Sequence, residues 1–297
     1  MRIPKYWIRS TFDGLDQHGN PAEFVAWGWS SNSPEEARER GTKRAKSIFL
    51  RLSEGSLPYR GGQVTEDYDY LAAPPREEII QSFTYTDLET PETLVTRNRY
   101  GALVLNSSSV LFVDIDLSPT PRPLGLVDSL KYSFSRKFRE QRQLAHQLKA
   151  VNRIVDWSKS NPNSGFRLYQ TRGGYRLLFT DKLYHPLSDE VRRIFQELQS
   201  DPLYRRLTER QECFRARLTP KPWRIGLSRP NTQYPRDSEN QRNFASWLSK
   251  YESNSKSYAT CTYLEHLGPK SINHDQIATT LQLHDSQTKA AQKLSLA

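Results

Sequence analysis

The run VLFVDIDL at residues 110–117 decides the fold. Its β-branched and aromatic residues predict a buried strand. Strand alternation then puts Asp114 and Asp116 on one face and Val113, Ile115 and Leu117 on the other. Two carboxylates this close repel unless a cation lies between them. Mg2+ or Mn2+ suits such a pair, because each takes oxygen ligands and keeps water and substrate phosphates in its shell. The alternative is a strand edge reaching solvent, with Asp116 capping the Pro-rich turn that follows.

Upstream, GALVLN at 101–106 reads as the adjacent strand, joined through the small polar turn Ser107-Ser108-Ser109. A short helix is expected at 76–83. Downstream, SPTPRPLG leads into a helix from about 130 to 160, whose cations include Arg142, Lys149 and Arg153. That basic face is either solvated or aimed at phosphates. FRLYQT (166–171) and YRLLFT (175–180) predict a strand pair hinged on Gly173-Gly174. Paired glycines let a backbone approach a phosphate, and Arg176 just beyond them could neutralise it. A purely structural Gly-Gly turn is the competing reading. After a helix near 188–200, CFRARLTPKPWRIG at 213–226 reads as a strand entering a basic loop. Arg215 and Arg217 leave one face of it, Lys221 and Arg224 follow, and Trp223 either stacks on a base or anchors the loop. Glu212 begins this strand.

At the N-terminus, KYWIRSTF (5–12) and AEFVAWGW (22–29) predict a hairpin, followed by a helix from the Ser33 N-cap, with Pro34 and Glu36 completing the start signal, to about Leu52. The division expected is a hairpin–helix module and linker at 1–75, a core at 76–230 and a helical segment at 231–297. The 297 residues carry 43 Lys and Arg against 33 Asp and Glu, a formal charge of +10 that favours polyanionic partners. Only Cys213 and Cys261 are present, so a disulfide framework and a Cys-rich metal site are excluded, and both read as buried thiols. No apolar run approaches a membrane span, which points to a cytoplasmic protein without a membrane partner. His274-Asp275 and His284-Asp285 read as surface residues of C-terminal helices; His146 and His185 have no evident Ser or Cys partner.

The order acid pair on a strand, helix, Gly-turn hairpin with a cation, then a strand with an acid and arginines resembles the catalytic core of the archaeo-eukaryotic primase superfamily, which includes primase-polymerases. Asp114 and Asp116 match its first motif; Thr171, Gly173 and Gly174 match the frame of its second. Arg176 stands where that pattern has a nucleotide-binding His, and two cysteines cannot build the zinc module many primases carry. The resemblance covers about 100–226. Over most of its length the chain is also similar to an uncharacterised bacterial family sharing KYWIRS-, FVDIDL- and FRARLTPKPWR-like stretches. The resemblance implies an α+β fold: an RRM-like, primase-polymerase-like core with an N-terminal ββα module and C-terminal helices. It implies metal-dependent nucleotidyl transfer in DNA replication or repair. Asp114 and Asp116 would hold Mg2+ or Mn2+, and Glu212 would be the third catalytic acid. Thr171, Gly173, Gly174 and Arg176 would bind the nucleoside triphosphate. Arg215, Arg217, Lys221, Trp223 and Arg224 would hold DNA or RNA. Two rivals stand beside it: a non-catalytic DNA- or RNA-binding protein on the same fold, and an accessory protein docking an acidic partner.

Overall fold

A computed structural model describes residues 1–16, 18–54, 64–65, 73–85, 92–117 and 135–297. The N-terminal hairpin forms from β1 (Tyr6–Leu15) and β2 (Pro21–Ser30), paired antiparallel from Tyr6↔Ser30 to Leu15↔Pro21. Helix α1 (Pro34–Ser53) starts at Ser33, whose Oγ accepts from the Glu36 amide at 3.1 Å. The capping box closes on one side only, because the Glu36 carboxylate accepts instead from Ser30 Oγ and Asn32 Nδ2. The helix lies hard against the hairpin where Gly28 and Gly41 meet; a Cβ on Gly28 would fall 1.9 Å from the Ala37 carbonyl oxygen. Phe24, Ala26, Ala45, Ile48 and Leu52 form a small core of the module's own. The two-residue strand β3 (Val64–Thr65) pairs parallel with β2.

Two four-stranded antiparallel sheets follow. The first contains β4 (Glu78–Phe83), β5 (Thr93–Arg97), β6 (Leu103–Ser107) and β10 (Phe214–Arg217), in the order β10-β6-β5-β4. The helix expected at 76–83 is therefore strand β4, because its ladder to β5, bulged between Ile79 and Gln81, overrides the helix-permissive Glu and Gln side chains. The second contains β7 (Phe112–Asp116), β8 (Phe166–Thr171), β9 (Gly174–Phe179) and β12 (Cys261–Leu267), in the order β12-β8-β9-β7. The strands expected to adjoin around Ser107–Ser109 belong to different sheets. Both edges of β6 are taken by β5 and β10, so the turn, held by Ser107 Oγ accepting from Val110 N at 2.9 Å, carries the chain across.

The helices are α2 (Arg136–Ser160), α3 (Asp189–Glu197), α4 (Pro202–Gln211), α5 (Ser238–Ser255) and α6 (Asp275–Thr288), with a short parallel pair β11 (Tyr258–Ala259) and β13 (Ser295–Leu296). One large core joins both sheets to the helices: Leu105 and Phe214 from the first, Val113, Ile115, Phe166 and Phe179 from the second, Ile154 and Trp157 from α2, Ile194 and Phe195 from α3, Ile277 from α6. Fully burying each aliphatic member is worth about 1.5–3 kcal/mol, so this core dominates the stability. The architecture is α+β, built from antiparallel sheets and packed helices. The Pro-rich segment after Asp116, the first residues of the helix read from 130, and most of the 53–75 linker lie outside the described residues. Among the described residues no helix is long and apolar enough to cross a membrane.

Candidate nucleic-acid interface

Strand β7 is an edge strand, and its register on β9 sets Asp114 opposite Arg176 and Asp116 opposite Gly174. Ile115, between the two acids, is buried in the core, so the carboxylates do share the opposite face. The Asp114 side chain is 27% exposed while that of Arg176 is 4% exposed, and the two join in a fork: Nε to Oδ1 at 2.7 Å and Nη2 to Oδ2 at 3.2 Å. Burial acts to lower the Arg176 pKa, but the charge and hydrogen bonds of Asp114 outweigh it and hold the pKa above the ordinary arginine value. A phosphate contact for Arg176 is not what this geometry offers.

The donor set does not fit a divalent cation. Both oxygens of Asp114 are engaged by Arg176. Glu212 is the left-handed residue that ends α4, before β10 begins at Phe214, and it is ion-paired with Arg2 at 2.7 Å. The third acid near the pair is Asp201, whose amide and the neighbouring Ser200 hydroxyl both donate to the Asp114 carbonyl oxygen at 2.9 Å. Its carboxylate caps α4, accepting from Leu203 N at 3.3 Å and Tyr204 N at 3.0 Å. Among the described residues no group of three or more His, Cys, Asp or Glu side chains is placed to hold a metal ion. Asp116 reaches solvent, yet partial desolvation, with Asp114 and Asp201 nearby, raises its pKa against the pull of Lys221 and Arg224.

The glycine turn is structural. Thr171 pairs with Gly174, so the two-residue loop is Arg172-Gly173 rather than Gly173-Gly174. A Cβ on Gly174 would lie 2.0 Å from the Ile115 carbonyl oxygen; the backbone that approaches closely is that of β7. Arg215 and Arg217 do leave one face of β10, but Arg215 is buried. Its guanidinium meets both oxygens of Glu77 at 2.7 Å and Gln211 Oε1 at 2.8 Å, which takes it out of any phosphate site.

What remains is a cation cluster beside Asp116. Arg217 donates to the Thr219 carbonyl at 3.2 Å; burial, with Arg176 and Arg224 close by, pushes its pKa down to about 10. Burial and the charges of Arg217 and Arg224 lower Lys221, and burial and Arg172 lower Arg224. Among the described residues Arg172, Arg217, Lys221 and Arg224 make no ion pair. Trp223, 52% exposed on a turn of 3-10 helix (Pro222–Arg224), stands among them: Lys221 Nζ sits 5.5 Å from its ring, and Tyr100 meets it edge-on at 5.2 Å.

Behind Asp114 the polar contacts continue inward. Arg176 Nη1 donates to the Arg217 carbonyl at 3.0 Å and lies 3.5 Å from His284 Nε2. His284 Nδ1 is 3.0 Å from Asp285 Oδ1, and Asp285 also accepts from Tyr169 OH at 2.7 Å and Arg167 at 2.9 Å. His284 is fully buried, contrary to the surface position expected for it, and burial lowers its pKa. With Arg176 donating toward Nε2, the neutral ring is assigned its proton on Nδ1, facing Asp285. Helical spacing carried the missed signal: Ile277, Thr280, His284 and Thr288 form the buried stripe of α6. Cys213 and Cys261 are free and buried, as expected. Comparison of the chain with protein-family models, curated proteins and solved structures returns no match.

Proposed function

We propose that the face around Asp116 binds nucleic acid through its phosphates, as a non-catalytic module on a primase-like frame. The observation that carries this reading is the crowding of Arg172, Arg217, Lys221 and Arg224 beside an exposed tryptophan, with Asp116 the acid nearest to Lys221 and Arg224 and no salt bridge to any of the four among the described residues. Each of the latter three has its charge penalised by burial and by the other cations. A phosphate laid among them removes that repulsion, and counterion release adds to the gain. The acid pair does not serve turnover here, since Asp114 is held by Arg176. Nucleotidyl transfer with Mg2+ or Mn2+ is the competing activity, and a primer-extension assay with either ion is expected to show no incorporation.

The direct test is fluorescence anisotropy of a labelled single strand over a salt series. Four phosphate contacts give a slope of log affinity against log salt of roughly −3 for a single strand, and Lys221→Ala/Arg224→Ala lowers its magnitude by about 1.4. A flat salt response, or an unchanged slope in the double variant, removes the proposal and favours an acidic protein partner.

A further inference from the structure

The second sheet has another face at the same hairpin. There, on the α2 side, the end of β8–β9 and one turn of α2 enclose a cavity of about 220 Å³. Gln143 and Gln147, four residues apart and so stacked on one helix face, line it together with His146; Gln170, Arg172 and Tyr175 complete the hairpin side. Its lining contains no carboxylate. Among the described residues the side chains of Gln143, His146, Gln147 and Gln170 have no hydrogen-bond partner, so amide donors and acceptors face the cavity uncommitted. Arg172 belongs to the rim and also to the cation cluster, where its charge acts on Arg224.

We infer that this cavity receives one unpaired nucleobase, adenine by preference, of a strand whose phosphates lie on Arg172, Lys221 and Arg224. The inference rests on the nucleic-acid reading above and adds to it a base-reading site. A glutamine amide presents a donor beside an acceptor, the complement of the adenine N6–H and N7 edge. A carboxylate, the usual partner of the cytosine amino group, is missing from the lining. Tyr175, 7% exposed, gives a fixed ring against which the base packs. A base inside a duplex cannot reach into this recess without leaving its stack, so the strand must be single at that position.

The test is an anisotropy panel with labelled homopolymers of deoxyadenosine, thymidine and deoxycytidine, each about ten nucleotides long, a length within the usual single-strand site size. Non-specific stacking proteins lean towards pyrimidine runs, so a preference for adenine is not the default result. The wild-type protein is expected to bind the adenine strand about tenfold more tightly than the other two. Gln143→Leu/Gln147→Leu should reduce that ratio below about twofold while the thymidine strand keeps its affinity. Equal affinities in the wild type, or a preference that survives the double variant, overturn the base pocket and leave phosphate binding intact. Failure of all three strands to bind overturns both readings, whereas a uniform loss in Lys221→Ala/Arg224→Ala beside an intact adenine ratio supports both.

Discussion

Replacing Arg176 by Gln separates the two meanings of the acid pair. In the wild type the guanidinium supplies two hydrogen bonds to Asp114 and one to the Arg217 carbonyl. Breaking a buried ion pair from one side costs about 3–5 kcal/mol. The Asp114 side chain is 27% exposed and can recover part of its hydration, so the lower end, about 3 kcal/mol, is expected. For a chain of this size that lowers Tm by roughly 6–10 °C. Adding Asp114→Asn removes the orphaned charge and should restore about 1–2 kcal/mol, a coupling that a double-mutant cycle reads directly. The same substitution frees two carboxylates on one strand face. Arg176→Gln should therefore gain weak Mn2+ binding, at about 0.1–1 mM, seen by electron paramagnetic resonance and lost on adding Asp116→Asn. The wild type should show no Mn2+ binding that depends on Asp116. Tight Mn2+ binding by the wild type that Asp116→Asn abolishes would refute the claim that Arg176 stands in the cation's place.

Two further outcomes follow from the same strands and from α6. Gly174→Ala drives a Cβ to 2.0 Å from the Ile115 carbonyl, whereas Gly173→Ala meets only Asp116 Oδ1 at 3.6 Å. The first should cost about 3 kcal/mol or more and the second under about 1, and equal thermal shifts would contradict the β7–β9 packing described. His284, buried with a lowered pKa, takes up its proton in the unfolded chain before the folded one. Stability should thus fall as pH drops below 6.5, by up to about 1.4 kcal/mol per pH unit for one proton, and His284→Gln should flatten the slope below that pH. Identical slopes in variant and wild type would place the acid sensitivity elsewhere.

Local signals sufficed wherever a fragment's neighbours in space are also its neighbours in sequence. The N-terminal hairpin is separated only by its turn, and Ser33, Pro34 and Glu36 mark the helix start without any distant partner. Strand β4 went the other way, because Glu78 and Gln81 suit a helix and only the ladder to β5 shows otherwise. Strand β12 gave no local sign: Cys261 to Leu267 become a strand by joining β8, about ninety residues earlier in the chain. The stripe Ile277, Thr280, His284 and Thr288 is legible at helical period, yet the polarity of His274-Asp275 and His284-Asp285 points to the surface instead.

The site itself was half legible for a physical reason. Alternation within one strand fixes Asp114 and Asp116 on a common face, but what stands opposite them depends on the register of β7 on β9, which joins residues about sixty apart in the chain. A one-residue slip in that register exchanges core and surface side chains. In the observed register Arg176 arrives across from Asp114, and its remaining nitrogen holds the carbonyl of Arg217. That carbonyl ends β10, from which the chain turns out to Lys221, Trp223 and Arg224. On the nucleic-acid reading, one buried ion pair therefore does two things. It neutralises an acid that would repel phosphate, and it fixes the strand end from which the cations of that cluster project. An Asp-x-Asp that looks built for a metal is, in this arrangement, the anchor of a basic surface.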